Sequence, residues 1–345
     1  MTVNIKILPV YQGDAILLNF INEKKNILVD TGTRRSYTKG IFKNEIKILQ
    51  SVDLLILTHP DEDHIGGVLK YFEDKKRINS VFKSVWYNAG LLISDELNID
   101  KNKIQNVPIS DSDDLEISIK QGITLEGLLL NENILHDRLI KAGDNYNFNF
   151  SNILILSPEI EDLKLFYNAW EVEHEKQIEM ATTNDYHQSI ADLIKIKFVE
   201  NGTIANKSSI AFIIEADNTT MLLMGDAFSS VIEKNIRKLG FNEKKKLNLN
   251  IVKVSHHGSS SAISPNLLNI IDCKKFIIST NGSNGLPSKE CLARIITHRE
   301  EKIYLYFNYK NEITENIFFE KEFQEYNFEV IYLNEENNYT IPISE

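Results

Sequence analysis

Cysteine is nearly absent: Cys273 and Cys291 are the only two in 345 residues. Two thiols are too few for a disulfide scaffold or a thiolate metal cage, and a reducing, cytoplasmic setting fits the chain. Long apolar runs are missing as well. No stretch approaches the roughly 18 to 20 apolar residues of a membrane span, and Met1 to Val10 enters a strand-like pattern without the basic-then-apolar order of a secretion signal. These absences argue against membrane and secreted proteins. Positive charge is in deficit, since 38 Lys+Arg against 49 Asp+Glu leave a formal charge of −11. Coating nucleic acid through bulk charge requires clustered Lys and Arg that release counterions, so that class is disfavoured while a local basic groove is not. The runs Lys244-Lys245-Lys246 and Lys274-Lys275 read as solvated surface. Tandem repeats and low-complexity tails are absent too.

What remains is an ordinary globular composition, 42% hydrophobic and 25% charged, with enough apolar residues for a sizeable core. Residues 5–30 read as two strands making a hairpin, with a turn at Asn22 to Lys25 and a polar end at Asp30-Thr31-Gly32. A short helix is expected around Tyr37 to Leu49. Val52 to Thr58 is a near-continuous apolar run of the kind found in strands buried on both faces. His59-Pro60-Asp61-Glu62-Asp63-His64 follows as a loop, and Ile65-Gly66-Gly67 begins a helix. About 91–150 lacks sustained periodicity and reads as an insertion with short elements. Strands resume at 152–156, 209–215, 220–224, 250–254, 275–279 and 303–307. Helical spacing appears at 159–180, with Leu163, Phe166, Ala169 and Trp170 on one face, at 266–271 and at 288–298. Two strand-then-helix halves predict an α/β fold of two packed sheets with outer helices, one domain over 1–345.

Chemistry concentrates at three strand ends. His59, Asp61, Asp63 and His64 fall within six residues, and imidazole and carboxylate are the usual ligands of Zn²⁺ and Mn²⁺. His59 and Asp61 can point one way and Asp63 and His64 the other, with room for two ions about 3.5–4 Å apart, the separation that clamps a phosphoryl group. Gly66-Gly67, lacking Cβ atoms, would let the backbone turn sharply and leave space for substrate. Met224-Gly225-Asp226 ends another strand with a carboxylate suited to bridging, and Ser255-His256-His257-Gly258 ends a third with two imidazoles. Four of the eight histidines lie in these loops, which is not the pattern of solvated turns. Ser259-Ser260-Ser261 offers hydroxyls and backbone N–H groups to a phosphate. Trp86 and Tyr87 can stack on a base but read as core.

The loop Thr58 to Gly67, with Asp30 in Val29-Asp30-Thr31-Gly32, resembles the signature of the metallo-β-lactamase fold hydrolases, with Asp61 in place of the usual second histidine. Together with Gln12-Gly13-Asp14-Ala15, Asn206-Lys207-Ser208-Ser209, Gly225-Asp226 and His256-His257-Gly258-Ser259, it is similar to the ComEC-type competence protein hydrolase domain over about 5–290. The resemblance implies an αββα sandwich of two mixed sheets and a metal-dependent hydrolase, foremost a phosphodiesterase or nuclease acting on DNA through a metal-bound hydroxide. It implies one or two Zn or Mn ions, Mn gaining from the carboxylate at Asp61. His59 and Asp61 would hold one ion, Asp63, His64 and one of His256 or His257 the other, with Asp226 as the bridge. Asp63 and His64 would be catalytic, Asp63 orienting the attacking water, while Asp30 fixes ligand orientation. Ser259, Ser260 and Asn284 would contact substrate. Ser157 and Leu286 stand where the family commonly has histidines, so a ligand and a substrate contact are lost; His136, His174 and His187 read as surface histidines rather than replacements.

The partners implied are nucleic acid or a small phosphodiester, no membrane, and a protein partner in a defence or DNA-processing system. The alternatives are a hydrolase of a small ester, thioester or lactam, and a catalytically degenerate scaffold that binds a partner.

Overall fold

The computed structural model describes residues 3–97, 114–169 and 184–342; Trp170 and His174 lie outside them. Strands β1 (Val3–Ile7), β2 (Ile16–Phe20) and β3 (Lys25–Val29) form an antiparallel meander, and β4 (Leu54–Ile56) and β5 (Val85–Trp86) extend it in parallel from β3. The segment expected as two strands is therefore three, divided by the loop at 8–15, where Pro9 has no N–H to give a ladder.

The second sheet starts antiparallel with β6 (Asn145–Phe148), β7 (Ser151–Ser157), β8 (Ala211–Ala216) and β9 (Thr219–Leu223). The short β10 (Leu247–Asn248) pairs with β12 (Ile271–Asp272) outside it. Strands β11 (Ile251–Lys253), β13 (Lys275–Ile278), β14 (Ile303–Phe307) and β15 (Phe328–Tyr332) then continue from β9 in parallel. Finally β16 (Thr340–Ile341) covers the free edge of β1.

The period of two in side-chain direction sorts the core. Ile16, Leu18, Ile27, Val29, Leu54 and Ile56 face inward, against Ile153, Ile155, Phe212, Ile214, Met221 and Leu223 of the other sheet. The intervening Leu17, Leu28 and Leu55 face outward onto Ile65, Val68 and Phe72 of helix Glu62–Glu73 and Leu125 and Leu129 of helix Asp114–Asn131. On the opposite outer face Ile213, Leu222, Val252 and Phe276 meet Ile232, Leu267 and Leu292 of helices Ser229–Lys238, Pro265–Ile270 and Lys289–Thr297. The result is the expected αββα sandwich of two mixed sheets.

The 91–150 stretch contributes an 18-residue helix and the edge strand β6 rather than only short elements. Its periodicity is blurred because Ile123 and Leu130 are exposed while Leu125 and Leu129 are buried. Among the described residues no helix is long and apolar enough to cross a membrane.

The carboxyl ends of β3, β4, β9, β11 and β13 open on one edge of the sandwich, where Ile210 N–H donates to Thr58 O at 2.9 Å and joins the two halves. Phe212, fully buried between the sheets, is the largest side chain in this inner layer on β8. Phe212→Ala should cost about 3–5 kcal/mol, measured by urea unfolding of the metal-free protein.

Candidate metal centre

The site is organised from Asp30. The chain leaves β3 there at φ 58°, a left-handed conformation that Asp tolerates better than most residues. The turn carries a fully buried carboxylate beneath the end of β4. Its Oδ1 accepts the Thr58 N–H at 2.8 Å; its Oδ2 accepts the Thr58 hydroxyl at 2.9 Å and His64 Nδ1–H at 2.8 Å. The Thr58 hydroxyl, having donated its proton, accepts His59 Nδ1–H at 3.0 Å. His257 Nδ1–H donates to Ser279 O at 2.9 Å. These bonds assign the retained proton of each ring to Nδ1 and turn the three Nε2 atoms toward one another, the usual second layer of support behind ligating histidines.

Helix Glu62–Glu73 begins three residues before Ile65, so Asp63 and His64 lie in its first turn rather than in a loop. Gly66 and Gly67 have a different purpose from the one expected. A Cβ at Gly67 would lie 2.1 Å from Thr31 O, and one at Gly66 2.5 Å from Arg34 N. The glycines let the helix dock on residues 31–34, which brings His64 to Asp30; they make no sharp turn.

Two donor groups face the open edge, and a third, of buried Asp14, Asp30 and His64, adjoins them with its carboxylates already engaged by Lys253 and Thr58. His59 Nε2 lies 3.2 Å from Asp61 Oδ2 and 3.8 Å from Asp226 Oδ2. His64 Nε2 lies 3.4 Å from Asp226 Oδ1 and 3.9 Å from Asp63 Oδ1. His257 Nε2 lies 3.0 Å from Asp63 Oδ2 and 4.0 Å from Asp226 Oδ2. The ligand atoms of His59, His64 and Asp226 fall within 4.8 Å of one another, and so do those of Asp63, His64 and His257. Asp61 flanks the first group, while His64 belongs to both.

A divalent ion fits this arrangement. His64 Nε2 and Asp226 Oδ1 are buried, lie 3.4 Å apart and make no well-aligned hydrogen bond among the described residues, so an ion taken up between them would satisfy both. Nitrogen and carboxylate oxygen donors suit Zn²⁺ or Mn²⁺.

The histidine pair divides. Its turn holds His256 at φ 42° and His257 at φ 52°, so the rings diverge. His257 is buried in the cluster, whereas the His256 side chain is 27% exposed with Nε2 4.0 Å from Asp226 Oδ2. Ser259 lines a small cleft with Asn206, Asp226 and His256, while Ser260 and Asn284 are exposed loop residues. Ser157 is buried at the end of β7. His136 packs beside Trp86 and Tyr146, and His187 is exposed. Trp86 and Tyr87 are both buried, as core.

Four residues join the site without having been assigned a role from sequence. Asn206 Nδ2 donates to Asp226 Oδ2 at 3.1 Å, and the Ser209 hydroxyl accepts the Asp226 N–H at 3.0 Å. Beneath them Lys253 forms an ion pair with Asp14, both side chains almost entirely buried. Asn206, Ser209 and Asp14 sit in the short motifs noted above; for Lys253 the available signal was a lysine inside the apolar run Ile251-Val252-Lys253-Val254.

Electrostatically the cluster is a cation trap. Burial alone pushes the His257 pKa down, but Asp226, Asp14 and Asp63 outweigh it and raise it to about 10. His64 is likewise lowered by burial and raised more by Asp226, Asp30 and Asp63, ending well above the ordinary imidazole value. Burial pushes Asp63 up, yet His64 and His257 bring it to about 2; Asp226 is held well below the ordinary carboxylate value against its burial by His64, His257 and His256.

A family model described as Metallo-beta-lactamase superfamily matches residues 8–77, the stretch that carries Asp30 and His59 to His64. ComE operon protein 3 of Bacillus subtilis (strain 168) is 20% identical over 336 residues, covering 90% of this chain and 33% of that protein. The chain thus spans about a third of the length of the curated relative it matches. Similar solved structures include the metallo-beta-lactamase fold protein YhfI from Bacillus subtilis, 10% identical with a TM-score of 0.38 over 96% of this chain and 97% of that one. Zn(2+)-bound PqqB from Methylobacterium extorquens is 10% identical, with a TM-score of 0.34 over 71% of this chain and 60% of that one.

Asp30→Ala leaves His64 Nδ1 without its acceptor and should weaken divalent-ion binding by about 10- to 100-fold, read by titration calorimetry. Raised pKa values at His64 and His257 mean that both rings carry the extra proton at neutral pH before an ion binds. Ion binding must therefore release protons, and affinity should rise with pH through the neutral range and on toward about 10; calorimetry in buffers of different ionisation enthalpy checks this.

Proposed function

We propose that the protein is a metal-dependent hydrolase of phosphodiesters, with DNA as the foremost substrate. The observation that carries the reading is Asp226, whose two carboxylate oxygens lie within 4.0 Å of the Nε2 atoms of His59, His64 and His257 and so link a pair of adjoining donor groups. Such a pair suits two cations held side by side against the oxygens of one phosphoryl group. The match of residues 8–77 to a hydrolase superfamily model supports the same chemistry. His59, Asp61 and Asp226 would hold one ion, and Asp63, His64 and His257 the other, with Zn²⁺ and Mn²⁺ as the ions that suit these donors. A bound ion supplies a water of pKa near about 7 and neutralises charge that develops on the substrate oxygens.

The chain's own residues do the rest. Asp63 is ionised, and its side chain is 24% exposed, so it reaches the open face of the cluster, where it orients the attacking water by accepting its hydrogen bond. Asp30 fixes the tautomer of His64 directly and that of His59 through the Thr58 hydroxyl. His256, at the rim with its side chain 27% exposed, stands where a substrate oxygen would approach. With 38 basic residues against 49 acidic ones, the net charge counts against processive tracking of duplex DNA and leaves small phosphodiesters in play.

The test uses metal-stripped protein re-supplied with Mn²⁺ or Zn²⁺, offered single-stranded DNA, duplex DNA, RNA, a chromogenic phosphodiester and a chromogenic carboxylic ester. Metal-dependent cleavage of a phosphodiester that drops by about 10²- to 10⁴-fold in Asp63→Ala is the expected result. Turnover of the carboxylic ester alone would replace the phosphodiester reading with small-ester hydrolysis. Ion binding without turnover of any of them would overturn it in favour of a binding scaffold.

A further inference from the structure

Asp226 Oδ1 is buried and makes no well-aligned hydrogen bond among the described residues, with the ligand atom His64 Nε2 3.4 Å away and an ammonium group at 4.0 Å. That group is Nζ of Lys253, fully buried at the end of β11. Two other acceptors hold it: the Asp14 carboxylate Oδ2, and Gly225 O at 3.1 Å. A dry interior strongly favours contact between opposite charges, so the Lys253 ammonium would pair with Asp226 if nothing else held it.

Asp14 is built to hold it. The residue is 1% exposed, its N–H donates to Asp63 O at 3.2 Å and its carbonyl accepts Gly32 N–H at 2.8 Å. Gly13 beside it is pressed so closely on the same carbonyl that a Cβ there would lie 1.9 Å from Asp63 O. The backbone that carries the Asp14 carboxylate is thus anchored to the helix that carries Asp63 and His64.

We propose that Asp14 is a positioning residue that withholds the Lys253 ammonium from Asp226, keeping Asp226 Oδ1 open for a divalent ion. The inference rests on the metal-centre reading of the cluster. Lys253 is a tethered rival for that ion: it carries positive charge beside the same carboxylate and cannot diffuse away. Paired with Asp14 it is neutral as a unit, so Asp61, Asp63 and Asp226 are left to face a divalent cation. The pair also spans the two halves, Asp14 entering before β2 of the first sheet and Lys253 ending β11 of the second.

The test is binding of Mn²⁺ and of Zn²⁺ to the metal-stripped full chain by titration calorimetry, with thermal unfolding as a check on folding. Asp14→Asn should bind at least about tenfold more weakly than wild type, because the freed ammonium moves onto Asp226. Lys253→Met should bind at least as tightly as wild type, and the double variant should return to within about threefold of it. The rescue isolates the lysine, since the double variant also lacks the Asp14 carboxylate 3.5 Å from His257 Nδ1. Wild-type affinity in a folded Asp14→Asn, or a double variant as weak as Asp14→Asn, overturns the proposal. Asp14→Ser is measured alongside; if neither Asp14 variant folds, Lys253→Met decides, and weaker binding than wild type overturns the proposal. Wild type that binds neither ion removes the metal-centre reading itself, a result distinguishable from failure of the cycle.

Discussion

One buried carboxylate organises this molecule's site. Asp30 accepts hydrogen bonds from the Thr58 backbone, the Thr58 hydroxyl and His64, and so ties the end of β3 to the end of β4 and to the first turn of the following helix. Burying an ionised group costs several kcal/mol unless its lone pairs are satisfied, so a conformation that leaves any of these three donors out of place is disfavoured. The tautomers of His59 and His64 follow from that one constraint, because the Thr58 hydroxyl, its one proton given to Asp30, can only accept from His59.

The second half contributes by a different device. Asp226, His256 and His257 come from loops after parallel neighbours β9 and β11, and the strain of two successive left-handed histidines is stored in a turn whose neighbouring Ser279 carbonyl anchors His257. The two halves meet through Ile210 and Thr58, through Asp63 and His257, and through Asp14 and Lys253. The last of these is a buried ion pair, a poor source of net stability but a strong determinant of which groups lie where. Charges of both signs are gathered at the edge between sheets where hydrophobic burial holds them in place, so the sandwich core bears the desolvation cost of a cation-seeking cluster.

Much of the fold was legible from residue order. The apolar runs located the strands, and the strand ends rich in His and Asp pointed to the region where the side chains gather; which of Ile16, Leu17, Leu18, Ile27, Leu28 and Val29 face inward and which outward was set by the pleat of the packed sheets. Other features were not. The helix at Asp114–Asn131 hid its period behind exposed Ile123 and Leu130. Gly66-Gly67 suggested a turn because glycine permits one, whereas the structure uses the missing Cβ atoms for helix docking against Thr31 and Arg34. His256 and His257 are chemically identical in sequence, and only the turn that splays them puts one in the cluster and one at the rim.

The sequence by itself determined the alternating patterns that make two sheets and outer helices, and it determined which loops carry imidazole and carboxylate, because both are local properties of residue type and spacing. Tertiary structure alone decided that His64 serves both donor groups, that His257 rather than His256 faces Asp63, and that Lys253 is held by Asp14 beside an open Asp226 oxygen. Those facts depend on distances between residues far apart in the chain, such as Asp14 and Lys253, and such distances are set by how two sheets pack, which no local pattern encodes.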